Sequence, residues 1–234
     1  MANLAHNPKL QKWLGGGLIE RLFLNAISWV QLLLLKQHKE PEAVRLVRQV
    51  RRERRSLLFA YEAYTVYSFA KAYNHLPGAM AEVGVFQGAS AKLLCEAKGE
   101  AELHLFDTFG GLPQSSEADK NVHREKQYPC SLESVQKYLK DYDKVYFHPG
   151  LFPDSAKTLP EMRFSFVHLD VDLYESTLAG LEYFYPRLLP GGVIISHDYS
   201  LLAGVRKAFT DFLHDKPERP AQLPSTQCVL IKLS

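Results

Sequence analysis

Four residues late in this chain have the types and spacing to do chemistry: Asp170, Asp172, His197 and Asp198. They lie in FSFVHLDVDLYESTLAGLEYFYPRLLPGGVIISHDY, residues 164–199, at the ends of two short apolar runs. FSFVHLD reads as a buried strand emerging at Asp170, and GVIIS as a second strand ending at His197 and Asp198. Strand residues alternate faces, so Asp170 and Asp172 point the same way if the extended geometry persists past the strand end. Between the runs, STLAGLEYFYPRLL reads as a helix, punctuated by Pro190 and Gly191. Two neighbouring parallel strands would then deliver all four residues to one carboxyl edge, where open α/β sheets bind ligands. Carboxylates crowded there repel unless a cation or a shared proton lies between them. Asp172 has a second reading, as a cap for a helix beginning near Ser176. His168 reads as a satisfied core histidine, and Tyr174 and Tyr199 as either acceptor-pocket walls or core filling.

The elements that must position this cluster come earlier. GAMAEVGVFQGASAKLLCEAKG reads as strand, glycine loop and helix. Gly84 and Gly88 let a ligand lie on the backbone, while Ser90 and the first helix amides offer donors. The spacing of Glu82, Gly84 and Gly88 is not the GxGxxG of dinucleotide enzymes. The next strand, LHLFD, ends in Asp107 where an acid receives ribose hydroxyls, and a carboxylate can accept from two vicinal hydroxyls of a nucleoside. The plainer readings are a cap before Thr108 for Asp107 and a buried partner of a backbone amide for Glu82. The polar stretch from Gln114 to Cys130 is long for a plain loop and reads as a lid. A short helix, SLESVQKYLKDY, follows with Ser131 and Ser134 as caps, then the strand KVYFH and the turn PGLFPDS, whose Gly150, Leu151 and Phe152 are placed to face a cofactor base. GVRKAFTDFL reads as a helix and QCVLIKL as a last, antiparallel strand. The expected fold is α/β: a Rossmann-like, doubly wound, mostly parallel seven-stranded sheet.

Composition narrows the alternatives. The 234 residues are 46% hydrophobic with a formal net charge of +2, enough for one sizeable core and no argument for nucleic acid. Three cysteines, Cys95, Cys130 and Cys228, lie far apart without a CxxC pair, which fits a reducing cytosol. The start shows no secretory pattern, so a cytoplasmic location is expected. Residues 1–56 read as an N-terminal helical extension to a domain of residues 57–234. Within the extension, LIERLFLNAISWVQLLLLK is an apolar helix interrupted by Glu20, Arg21 and Asn25, too broken for a membrane span. It needs cover, by the domain, by a second subunit in a homo-oligomer, or by a membrane surface met through Trp13, Phe23 and Trp29. From Pro41, helix-type spacing of Val44, Val47, Leu57, Leu58 and Tyr61 marks one or two helices stopped by Pro77 and Gly78. Their run of Arg48, Arg51, Arg52, Arg54 and Arg55 reads as a solvated face before a phosphate grip.

Five ordered fragments, AEVGVFQGAS, FDTFGGLP, PGLFPDS, HLDVDLYEST and LLPGGVIISHDY, resemble the macrocin O-methyltransferase family of class I S-adenosylmethionine-dependent methyltransferases, over about residues 57 to 212. The resemblance implies metal-dependent transfer of a methyl group from S-adenosylmethionine to a hydroxyl, in the family typically on a sugar of a natural product. It implies that Glu82, Gly84, Gly88 and Ser90 line the cofactor and that Asp107 takes the ribose. Asp170 matches the first metal ligand and Asp172 the proposed general base. The family usually carries two adjacent aspartates as the remaining ligands, and here those positions are His197 and Asp198. That departure leaves His197 open as a ligand, as a hydrogen-bond partner of a ligating carboxylate, or as the base. Magnesium or manganese is the expected divalent cation, and an imidazole ligand tilts preference toward manganese, iron, cobalt or zinc. The competing expectations are a non-catalytic S-adenosylmethionine-binding or membrane-associated assembly protein, should His197 disable the site, and a nucleotide-dependent oxidoreductase, which the missing dinucleotide fingerprint disfavours.

Overall fold

The strands that end in chemistry sit at the middle of one sheet. In the computed structural model, which describes residues 7–8, 11–12, 15, 17–119 and 122–234, these are β1 (Ala79–Val83), β2 (Leu103–Asp107), β3 (Val145–Pro149), β4 (Phe164–Leu169), β5 (Leu188–Ser196), β6 (Ala221–Gln222) and β7 (Cys228–Ile231). They form a seven-stranded sheet in the order β3-β2-β1-β4-β5-β7-β6. β1 to β5 pair in parallel and β7 runs antiparallel to β5. The chain moves outward one way from β1 to β3, then returns to lay β4 on the other side of β1. This reversal opens a crevice at the carboxyl ends of β1 and β4.

Every residue of β4 is buried, as expected for a central parallel strand covered on both faces. Alternation sorts the side chains. Ala81, Val83, Val167 and Leu169 join Phe184, Val205 and Phe209 on one face, under α6 (Tyr174–Phe184) and α7 (Ala203–Phe212). Met80, Phe166, Val193 and Ile195 join Val66, Ala70 and Leu94 on the other, under α3 (Ala60–Tyr73) and α4 (Ala89–Ala97). The short α5 (Leu132–Tyr138) is capped by Ser131, whose hydroxyl accepts from Ser134 N at 3.1 Å.

The N-terminal segment forms α1 (Leu18–Leu35) and α2 (Pro41–Glu53), so the stretch from Pro41 to Leu76 is two helices, α2 and α3. Leu32, Leu35, Val44, Val47 and Val50 pack on Leu58, Ala63, Ala89 and Leu93. The extension is thus built onto the domain. Two local expectations change. Pro190 and Gly191 lie inside β5, where the β4 pairing shifts register and Gly191 takes φ 76°. Pairing with the chain after β7, Gly191 N to Lys232 O and Lys232 N to Gly192 O, outweighs the local turn signal. Helix α6 starts at Tyr174, ahead of Ser176, and Asp172 does not cap it.

Candidate functional site

The glycine loop passes directly over the end of β4. Asp170 N donates to Val83 O at 2.9 Å, and a Cβ on Gly84 would stand 1.8 Å from Asp170 O with φ at +90°. Only glycine fits there. The amides of Val85 and Phe86 donate to Asp107 Oδ2 at 2.7 and 2.8 Å, and Phe109 N donates to Oδ1 at 2.6 Å. Asp107 therefore shapes the loop, and one lone pair on Oδ1 remains for a hydroxyl. Beside it lies a cavity lined by Gly84, Asp107, Tyr128, Phe152, Asp170 and Asp172, with Gly150 and Leu151 also on its wall.

Three other residues expected at the cofactor do not line this cavity. Glu82 alternates away from Val83 into the opposite face of the sheet, fully buried, with Oε1 2.8 Å from His168 Nδ1. Burial raises its carboxyl, with His168 and Ser90 drawing the other way. Ser90 is buried beside it. Gly88 is the N-cap of α4 in the left-handed region, under Val135. Tyr199 stacks edge-on against Phe209 and Tyr174 donates to Asp211 Oδ2 at 2.8 Å, so both fill or brace the body.

Asp170, His197 and Asp198 do converge. One ligand atom from each lies within 4.8 Å of the others, with His197 Nδ1 3.1 Å from both Asp170 Oδ1 and Asp198 Oδ2. Asp172 and Asp198 both adopt positive φ, 60° and 56°, a strained setting for non-glycine residues that turns their side chains inward. Burial and the charges of Asp198 and Asp170 hold the Asp172 carboxyl well above the usual range. Burial opposes charge on His197 as well, but Asp198, Asp170 and Glu62 outweigh it and raise the imidazole well above its ordinary range. Burial likewise opposes ionisation of Asp170, and the facing His197 draws it down.

Glu62 is the residue that sequence reasoning missed. It sits in the first turn of α3, fully buried, 135 residues before His197. Its Oε2 accepts from Phe59 N at 2.7 Å and faces His197 Nε2 at 3.1 Å, while Oε1 accepts from Thr226 N and Oγ1 at 3.1 and 2.7 Å. An Nε2–H donated to Glu62 leaves the Nδ1 lone pair aimed between the two aspartates, a carboxylate–histidine arrangement that orients a metal ligand. Nδ1 is buried and has no well-aligned hydrogen bond of its own. Two oxygens and one nitrogen brought this close together fit a divalent cation.

The segment after β2 closes over the crevice. Leu112 and Lys126 pair through Leu112 N to Gln127 O and Lys126 N to Leu112 O, both at 2.8 Å. Asp119 Oδ2 accepts from Ser116 N and Oγ, and Oδ1 accepts from Tyr174 N at 2.7 Å, so the lid supplies the cap of α6. His123 has both ring nitrogens buried without hydrogen-bond partners. Burial lowers its imidazole, with Asp198 and Asp119 drawing it up. Polar lid composition signals a loop, but nothing in it marks Asp119 or His123 as the residues that turn inward.

A profile of the macrocin-O-methyltransferase family matches residues 68–223. The chain belongs to this family. It is 33% identical over 156 residues to the 8-demethyl-8-(2,3-dimethoxy-alpha-L-rhamnosyl)-tetracenomycin-C 4'-O-methyltransferase of Streptomyces olivaceus, covering 60% of this chain and 58% of that protein. It is 32% identical over 146 residues to the mycinamicin III 3''-O-methyltransferase of Micromonospora griseorubida, covering 55% and 58%. The match thus spans little more than half of each relative. Among solved structures, the O-methyltransferase NovP superposes with a TM-score of 0.69 at 21% identity, covering 92% of this chain and 100% of that one. That likeness is one of fold. This family member departs from the paired aspartates of the resemblance at His197, where the buried Glu62 supplies the imidazole with its own carboxylate.

Proposed function

We propose that the protein is an S-adenosylmethionine-dependent O-methyltransferase that methylates a hydroxyl of a sugar or glycosylated small molecule, with a divalent cation held by Asp170, His197 Nδ1 and Asp198. The observation that carries this reading is the convergence of those three ligand atoms, with Asp170 also on the wall of the cavity that Gly84, Asp107 and Asp172 line. Family membership supports it, as does a relative named for O-methylation of a rhamnosyl compound.

When bound, S-adenosylmethionine supplies an electrophilic methyl on a sulfonium, and the cation lowers the pKa of the acceptor hydroxyl. The protein's residues do the rest. Gly84 lets a ligand lie on the backbone, and Asp107 accepts one ribose hydroxyl through its remaining lone pair. Asp172, on the cavity wall and beside Asp198, takes the hydroxyl proton as the oxygen attacks. Burial raises the Asp172 carboxyl, and the charges of Asp198 and Asp170 add to it; a cation held by Asp170 and Asp198 would relieve that second, repulsive part and so favour the base form. Glu62 fixes the His197 ring. The lid, pinned by Asp119 and by the Tyr128 hydroxyl, which donates to Glu20 Oε1 at 3.1 Å, excludes water.

Calorimetric titration of metal-stripped protein with S-adenosylmethionine, and separately with magnesium and manganese, tests this in wild type and in Asp170→Ala with Asp198→Ala. Micromolar-range cofactor binding and a cation site lost in the double variant are expected. Cofactor binding with no cation site would overturn the metal assignment, and absence of both would overturn the whole reading.

A further inference from the structure

Contrary to the expectation that Glu20, Arg21 and Asn25 break it too much to span, helix α1 is long and apolar enough by length and composition to cross a membrane, yet its inner stripe is committed to the body. Leu24, Ser28, Leu32 and Leu35 are buried. Ser28 Oγ accepts from Ala60 N at 3.2 Å, Gln31 Oε1 accepts from Tyr61 N at 3.1 Å, and the Arg51 guanidinium donates to Leu24 O at 3.3 Å. A spanning orientation would break all of these, so the helix lies flat on the domain. Its outer face is another matter. Leu18, Leu22, Phe23, Trp29 and Leu34 are 51–70% exposed, forming a continuous apolar strip of a kind that marks an interaction site.

Charge says what covers it. Residues 1–56 hold eleven Lys and Arg against four Glu, whereas the rest of the chain holds 17 against 22. The near-neutral whole is a positive extension on a negative body. Each of the four extension glutamates already faces a cation: Glu20 with Arg55, Glu40 with Lys71, Glu42 with Arg45 and Glu53 with Lys92. Among the described residues, Lys36, Arg48 and Arg52 have no such partner. They meet Trp29 and Leu33 along a groove between α1 and α2. Apolar side chains beside uncompensated cations, with a tryptophan at the border, are what the headgroup boundary of an anionic bilayer accommodates. A second copy packed through the same face would set this positive groove beside its own image, since a two-fold contact is self-complementary only when charges alternate. Trp13, expected to share in such a contact, lies outside the described residues.

We propose that the outer face of α1 and the adjoining Lys36, Arg48 and Arg52 of the α1–α2 groove form a docking surface for an anionic lipid bilayer. The surface is argued independently of methyl transfer.

Flotation of the full chain with phosphatidylcholine vesicles, and with phosphatidylcholine vesicles carrying about a third phosphatidylglycerol, tests it, alongside light scattering of the protein alone. Wild type should float with the anionic vesicles and be released by salt, with partitioning to neutral vesicles far weaker. Arg48→Gln with Arg52→Gln should lower partitioning about fivefold per arginine, and Phe23→Ser with Trp29→Ser should abolish it. Phe23, Trp29 and Arg52 are exposed and Arg48 is half-buried in the groove, and unchanged circular dichroism and thermal midpoint would verify the fold. Equal binding to neutral and anionic vesicles, no flotation, or a dimer that Trp29→Ser disrupts in protein that ignores vesicles would each overturn the proposal.

Discussion

At the scale of single residues, His197 is held between three carboxylates, Asp170, Asp198 and Glu62. The three aspartates and one histidine of the cluster were legible because they lie at or just past the ends of two strand-like runs, where polar residues are unexpected without a task. Glu62 was not, because a lone glutamate in the helix AYEAYTVY looks like any solvated residue until the fold buries it. Glu62→Gln should lower divalent-cation affinity roughly 10- to 100-fold, the usual effect of losing a carboxylate behind a ligating histidine. Competition with a chelating dye reads this directly. His197→Asp restores two adjacent aspartates and should shift the manganese-to-magnesium affinity ratio toward magnesium. It also strands Glu62 as an unpaired buried charge, at a cost of about 3 kcal/mol in urea unfolding. The double variant Glu62→Gln with His197→Asp should recover most of that stability while keeping the magnesium preference. Failure to recover it would mean that the Glu62–His197 contact is not what couples the two residues.

At the scale of elements, the lid and the helix that follows β4 are one device. Asp119 reaches from the lid to the first amide of α6, and Gly204 at the start of α7 leaves room for it: a Cβ there would stand 2.1 Å from Asp119 Oδ1. That carboxylate is buried and held by three donors, so it cannot simply swing aside. Gly204→Ala should therefore free the lid, speeding proteolytic cleavage between residues 111 and 130 several-fold while lowering the thermal midpoint by a few degrees. Cleavage at the wild-type rate would show that the lid is held without Asp119. The lid's polar composition was enough to read it as a lid, but its anchorage depends on pairing between distant elements that no local pattern records. The same limit applies to Pro190 and Gly191, whose turn chemistry is real but is absorbed as an irregularity of β5 by the strands on either side.

At the scale of the molecule, the mostly parallel sheet with an antiparallel last strand was readable because its central strands are apolar runs closed by a polar residue, whereas the order β3-β2-β1-β4-β5 comes from the fold. The two-residue β6 and the seating of α1 and α2 on the domain were not, since neither has a periodicity that differs from a loop or from any amphipathic helix. The sheet also carries a global pH dependence. His104 Nδ1 lies 3.0 Å from His148 Nε2 with the rings stacked. Burial and repulsion from His104 lower His148 to about 4, and burial lowers His104. His148 stays neutral in the fold down to about 4 but protonates near 6.5 when unfolded, so unfolding takes up a proton between those limits, and the lowered His104 acts in the same direction. Their contribution is complete above pH 6.5 and is lost as the pH falls toward 4. His148→Gln should flatten the fall of thermal midpoint across that window, and an unchanged slope would remove the pair from the account. One further consequence follows from Glu62, whose carboxylate joins residue 59 to residues 197 and 226, contacts of up to 164 positions in sequence. Loop closure on that scale comes late and slowly, so during synthesis Glu62 cannot make all its contacts until residue 226 has left the ribosome. A nascent or C-terminally clipped chain can shape its glycine loop early yet has no finished site with which to act.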